Sequence, residues 1–496
     1  MRAAGVLLHL SSLPGPCGIG TMGRAAFEFV DFLAAAGQSF WQILPLGPTG
    51  YGDSPYQSFS TFAGNPYFID LALLVRDGLL SEAEAHLPEE GGDPGRVDYG
   101  WQHRVRIPVL RLAAARFLQH PPEDFQRFCC ENAHWLDDYA LYMALKDAHG
   151  GQSWADWEPA LKRREPEALG ASRMRFASET DFWKTLQYLF FRQWKSLKRY
   201  ANQQGVRFIG DLPIYVATDS ADVWSRPDQF LLDDRMNPIE VAGCPPDGFT
   251  ADGQLWGNPL YRWEAMQADG YVWWIERLRH TTALCDIVRI DHFRGFDSYY
   301  AIPAGSATAR EGVWRAGPGI SFFREMERAL GRLPILAEDL GFLTDSVRQL
   351  LAESGYPGMK VLQFAFDSRE DSDYLPHNYT RHCVVYTGTH DNDTILGWFE
   401  GASAQDAAFA IDYLRLNPEE GYGWGMMKAA WASVGELAVV TMQDLLGLGR
   451  EARMNTPSTL GANWCWRMPA EAGLPALAEK LRRQMTVYRR LPDKNA

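Results

Sequence analysis

The chain has 496 residues, enough to bury a large core and long for one simple domain. Hydrophobic residues make up 46% and charged residues 22%, an ordinary globular balance. The formal net charge is −14 and no Lys/Arg cluster interrupts it, so a nucleic-acid partner, which needs a basic face to displace counterions, is not expected.

Residues 1–18 carry one early Arg and a short apolar run. The run contains His9 and breaks at Pro14-Gly15-Pro16, so it reads as a first strand rather than a secretion signal. No stretch approaches the roughly 18 to 20 apolar residues of a membrane span. The seven cysteines (Cys17, Cys129, Cys130, Cys244, Cys285, Cys383 and Cys465) follow no disulfide framework and form no C-x-x-C pair. That spacing argues against a zinc site, and scattered thiols suit a reducing, cytoplasmic compartment.

Eight short apolar runs rich in β-branched residues read as buried parallel strands: 5–10, 39–44, 206–211, 286–291, 334–338, 359–364, 383–387 and 437–443. Several of the gaps between them hold helical patterns. Before the third strand, Phe182, Leu186, Leu189, Phe190 and Trp194 fall on one helical face, and Gly205 supplies a stop. Eight such units predict an α/β fold, a (β/α)8 TIM barrel, with an open doubly wound sheet as the alternative. A barrel needs about 250 residues, and two gaps hold the excess. Residues from about 46 to 205 read as a mostly helical insertion, and those from about 212 to 285 as a loop-rich insertion over the mouth. The expectation is one catalytic barrel domain over 1–496. Both insertions follow strands and so fall at the C-terminal face, where barrel enzymes place their sites. No room remains for a separate C-terminal β-domain.

Acids stand at the predicted strand ends. Asp211 ends the third strand, Asp291 the fourth and Glu338 the fifth, while Asp391 follows the seventh. A barrel brings them to one rim. Cleaving a glycosidic bond takes two such carboxyl groups, one ionised and one protonated, with pKa values pushed apart by their surroundings. Alternation predicts that Arg289 points inward beside Asp291 and lowers its pKa. Glu338, near the apolar run Ile335-Leu336, is expected to be raised. Asp339 is expected to face away and cap the next helix. On pattern alone, a buried ion pair or a divalent-metal site remains an alternative reading of these acids. Phosphate-loop, serine-elbow and zinc-protease motifs are absent from the sequence.

At these residues the chain resembles the amylomaltases, or 4-α-glucanotransferases, of the α-amylase superfamily. The resemblance runs from about residue 5 to about 466. It rests on LLHLSSLPGPCGIG, WQILPLGPTGYGDSPYQSFSTFAGNPY, GDLPIYV, GQLWGNPLY, VRIDHFRGF, ILAEDLG and YTGTHDNDT. The resemblance implies Asp291 as nucleophile, Glu338 as acid/base and Asp391 as the carboxylate that holds sugar hydroxyls. Arg289 and Asp211 would flank them, with His292 and His390 bonding the same sugar. Tyr56 would stack on the ring being cleaved, Trp256 would meet the acceptor, and Asn463 the donor side. Phe249 would sit in the loop over the groove, where Gly248 replaces a usual aromatic. Cys244, Ser458 and the pair His9-Leu10 also depart from the family pattern. Tyr51 and Tyr99 match a second, surface glucan site.

The activity implied is transfer of an α-1,4-glucan segment to a new 4-hydroxyl by a retaining double displacement. Malto-oligosaccharides, amylose or glycogen-type glucans would be the substrates and glucose an acceptor, with no cofactor and no metal. A glucan hydrolase of the same superfamily is the near alternative. A catalytically silent glucan-binding protein is the remote one, since it would have no use for three acids on one rim.

Overall fold

Parallel strands dominate the computed structural model, which describes residues 2–50, 52–88, 93–246, 251–341 and 343–492. In chain order the strands are β1 (Ala3–Leu7), β2 (Phe40–Gln42), β3 (Arg207–Leu212), β4 (Glu240–Cys244), β5 (Gln254–Pro259) and β6 (Ile287–Ile290). They continue as β7 (Ser298–Pro303), β8 (Val313–Ala316), β9 (Ile335–Ala337), β10 (Gly358–Val361), β11 (Cys383–Tyr386) and β12 (Leu437–Thr441). Eight of them form one parallel sheet in the order β10-β11-β12-β1-β2-β3-β6-β9. The ends of that order meet where Ala337 N donates to Pro357 O at 3.0 Å. The sheet is thus a (β/α)8 barrel, and each of its strands overlaps a segment expected from the sequence, with bounds that differ by up to three residues.

Period-two alternation separates two cores. Leu7, Phe40, Ile209, Leu336, Val361 and Val439 belong to a cluster that fills the barrel interior. Their neighbours Val6, Trp41, Phe208, Ala337, Leu362 and Val440 belong to the larger core under the helices. The same parity sends Asp211, Arg289, Asp291 and Glu338 inward at the top.

The structure departs from the sequence reading in three places. The first strand ends at Leu7, two residues before His9, which leads into a 3-10 helix at Leu10–Ser12. Asp339 does not cap the following helix; Thr344 does that for Asp345–Ser354. Instead the buried Asp339 carboxylate accepts from Met359 N at 2.6 Å and helps close β9 onto β10. Gly358 makes room for it, since a Cβ there would stand 2.5 Å from Asp339 Oδ2. Finally, a four-stranded antiparallel sheet, β5-β4-β7-β8, rises beside the barrel mouth. It escaped the sequence reading because β5 is interrupted by Gly257, and every residue of β8 is exposed, which removes the alternating signal.

Between β2 and β3 the chain is largely helical, ending in the helix Ala177–Gln203. That helix buries Phe182, Leu186, Leu189, Phe190 and Trp194 and stops before Gly205, which has φ +79°. Between β3 and β6 lie β4, β5 and the helices Trp263–Ala268 and Val272–Leu284. Among the described residues no strand follows β12, and no helix is long and apolar enough to cross a membrane.

Candidate active site

Three adjacent strand ends build the site. Asp211 pairs with Arg289 across β3 and β6, and Ile290 pairs with Ala337 across β6 and β9. One residue further on, Asp291 N donates to Leu212 O and Glu338 N donates to Ile290 O, both at 3.0 Å. Asp291 and Glu338 therefore leave neighbouring strands at the same height. Adjacent strands lie about 4.8 Å apart, and the two carboxyl groups are close enough for the charge of Asp291 to act on Glu338.

Arg289 is the hub. Its Nη1 donates to both carboxylate oxygens of Asp211 at 2.7 Å, and its Nη2 pairs with Asp291 Oδ1 at 2.9 Å. The side chains of Arg289 and Asp211 are 3% and 0% exposed, whereas Asp291 keeps 28% of its surface open to the groove. The cation shared by Asp211 and Asp291 is this guanidinium. Tyr56 donates its phenolic hydrogen to Asp211 Oδ2 at 2.7 Å and meets His390 Nε2 at 2.8 Å. A phenol has one hydrogen to give, so His390 Nε2 is the donor in the second bond. The Tyr56 and His390 rings lie 5.3 Å apart and nearly parallel.

Burial decides the titration of the pair, and it overturns the expectation for Asp291. Desolvation is the largest effect and pushes its carboxyl up to about 6; Arg289 opposes this and the negative charges of Asp211 and Asp391 add to it. For Glu338, burial and then the charge of Asp291 push the carboxyl up to about 7. Arg289 opposes the rise, as do two backbone donors, Leu340 N at 3.0 Å and His292 N at 2.6 Å. Glu338 therefore keeps its proton to higher pH than Asp291. The order matches the sequence expectation, although the guanidinium limits the rise at Asp291 rather than reversing it.

His292 has φ +52°, the left-handed region that β-carbons disfavour. That turn aims its amide at Glu338 while Phe293 N bonds Glu338 O at 3.0 Å. Burial pushes the His292 imidazole down to about 3, so it is neutral at ordinary pH. Its ring stands edge-on to Trp256, at 4.8 Å and 88°. Trp256, half-buried on β5, donates Nε1 to Gln254 Oε1 at 3.0 Å.

Asp391 sits on the loop after β11, and its side chain is 44% exposed. Asn455, which the sequence reading missed, donates to its Oδ1 at 2.6 Å, and Arg453 Nη2 donates to its backbone oxygen at 2.6 Å. Asn463 does not join the cluster directly. Its amide accepts from Thr456 N and donates to Thr459 O, tying its own loop together. Its neighbour Trp464 reaches the site instead, 5.6 Å from the Tyr56 ring and 5.8 Å from that of His390. Phe249, Gly248 and Tyr51 lie outside the described residues. Tyr99 is buried, 7% exposed, and donates to Trp464 O at 3.1 Å, so it offers no surface platform. Only the NW pair at the chain's end signalled this region, and spacing carried nothing to single out Asn455.

A family model described as 4-α-glucanotransferase matches residues 8–472. The chain belongs to that family. A 4-α-glucanotransferase of Clostridium butyricum is 47% identical over 485 residues, 97% of this chain and 100% of that one. One from Thermus thermophilus is 49% identical over 500 residues, covering 97% and 99%. The amylomaltase of Streptococcus agalactiae in complex with acarbose superposes with a TM-score of 0.97 at 42% identity, covering 99% and 100%. Glucan transglycosylation is accordingly this protein's reaction, and hydrolysis is the less favoured alternative. For a 4-α-glucanotransferase the buried hub has a structural consequence as well. Asp211→Asn leaves the guanidinium with one partner and should cost about 3 kcal/mol of stability. Urea unfolding at neutral pH measures this, and a loss below about 1 kcal/mol would show that the pair is solvated.

Proposed function

We propose that the reaction is a retaining double displacement on α-1,4-glucans, with Asp291 as nucleophile and Glu338 as acid/base. The reading is carried by one observation: two inward carboxyl groups at matching height on neighbouring strands, only one of them paired with the Arg289 guanidinium. Asp291 attacks the anomeric carbon while Glu338 gives its proton to the leaving glucan oxygen. The glycosyl–Asp291 ester then meets an incoming 4-hydroxyl, whose proton passes to Glu338 as the new α-1,4 bond forms. Strand spacing supports the short carboxyl separation of retaining enzymes, about 5 to 5.5 Å, over the longer inverting one.

Asp391, held by Asn455, keeps Oδ2 available for sugar hydroxyls. Neutral His292 donates to the same ring, and His390 borders it. Tyr56 and Trp256 border it on the two sides of the cleaved bond, and Arg289 and Asp211 fix the nucleophile. Asn463, in the loop that carries Trp464, belongs to the donor side. Acceptors include glucose and malto-oligosaccharides. The whole chain acts as one barrel domain in the cytoplasm, and the acids supply the chemistry without a cofactor.

Incubation with maltotriose tests the transfer. The expected product is a ladder of longer oligomers together with glucose and maltose; glucose and maltose alone would leave only hydrolysis. The pH profile tests the assignment of roles. Asp291 must be ionised, so kcat/KM rises as pH passes through about 6. Glu338 must hold its proton, so kcat/KM falls again as pH passes through about 7. A narrow bell between these limits is expected, and a rate that climbs steadily through pH 8 would contradict it.

A further inference from the structure

Asp391 is held in a different way from the other carboxyl groups of the site. Asp211 and Asp291 bond a guanidinium, and Glu338 accepts from two backbone amides. Among the described residues, the hydrogen bond to the Asp391 carboxylate comes from a neutral side chain: Asn455 Nδ2 donates to Oδ1 at 2.6 Å. His390 Nε2 stands 3.5 Å from Oδ2, but it gives its hydrogen to Tyr56. Oδ2 is therefore left without a donor, on a side chain that is 44% exposed.

The segment that carries Asn455 is latched to the Asp391 loop through the main chain. Asn455 N donates to His390 O at 3.0 Å. Arg453 bridges the two segments, with Nη2 on Asp391 O at 2.6 Å and Nε on Asn455 O at 2.7 Å. Arg450 adds an ion pair with Asp393 at 2.8 Å. None of these contacts uses the Asn455 side chain. Its buried amide is thus placed by the main chain, and the partner it meets is the carboxylate. An amide oxygen turned toward that carboxylate would repel it, so Nδ2 is the atom that faces Oδ1.

Resting on the sugar-binding role proposed for Asp391, we propose that Asn455 is a positioning residue of the transfer reaction, fixing that carboxylate with Oδ2 turned to the sugar and its charge undiminished. A cation in the same place would draw off that charge. With no donor there, an exposed carboxylate would turn about its Cβ–Cγ bond. Hydrogen bonds to sugar hydroxyls strengthen in the transition state, so a misaligned acceptor is felt in the rate.

A double-mutant cycle tests this, read as kcat/KM for maltosyl fluoride with glucose as acceptor. Asn455→Ala should lower kcat/KM about thirtyfold when Asp391 is present, the loss expected for a hydrogen bond to a charged group. In Asp391→Ala, which has no carboxylate to orient, the same change should cost less than about threefold. Asn455→Asp keeps the size of the side chain and replaces the donor by an acceptor. It should be at least as slow as Asn455→Ala beside Asp391, and again nearly silent in Asp391→Ala. Melting temperatures report folding, and if Asn455→Ala does not fold, the Asn455→Asp pair decides. Equal losses in the two backgrounds, the pattern of a purely structural residue, would overturn the inference, as would wild-type rates in Asn455→Asp. Asp391→Ala at the wild-type rate would instead strike the role proposed for Asp391, and its positioning with it.

Discussion

At the mouth of the barrel one buried guanidinium holds two carboxylates. Arg289 would be costly to bury alone, and Asp211 and Asp291 would repel each other without it. Their mutual bonds at 2.7 to 2.9 Å make the arrangement stable and fix Asp291 in one orientation. The rest of the site is built outward from this hub. Tyr56 locks the far side of Asp211, His390 stacks on Tyr56, and Trp464 packs against both. A carboxylate held this way, in the nucleophile role proposed for Asp291, needs little rearrangement to meet a sugar.

The hub also gives the two acids different surroundings. Both are pushed up by burial, but Arg289 lies in direct contact with Asp291 and only within electrostatic range of Glu338. Glu338 instead takes two backbone donors, one of them supplied by the strained His292 turn. Backbone amides orient the carboxyl yet leave it able to hold a proton. The left-handed turn at His292 therefore serves geometry twice: it bonds Glu338 and sets the imidazole against Trp256.

Much of this was legible in the sequence because it depends on period and position. Strand parity put Asp211, Arg289, Asp291 and Glu338 on the inner face, and a barrel allowed no other rim for them. What the sequence could not carry were quantities set by packing. The sign of the Asp291 shift turns on how deeply it is buried, which no spacing reveals. Asp339 closes the barrel because Gly358 leaves room for it, a contact between strands 19 residues apart in chain order. Asn455 holds Asp391 from a segment with no periodic signature, and Asn463 looked functional because it adjoins Trp464, the residue that reaches the cluster.

The central claim is that Asp291 carries the sugar between the two steps. A maltosyl fluoride donor reacts without needing a proton from Glu338, while Glu338→Gln lacks the base for the second step. Mixing the two and mapping the protein by mass spectrometry reads the intermediate directly. The account predicts a maltosyl ester on the peptide containing Asp291. A sugar attached to any other residue, or turnover of the fluoride by Asp291→Asn at the rate of the wild type, would contradict it.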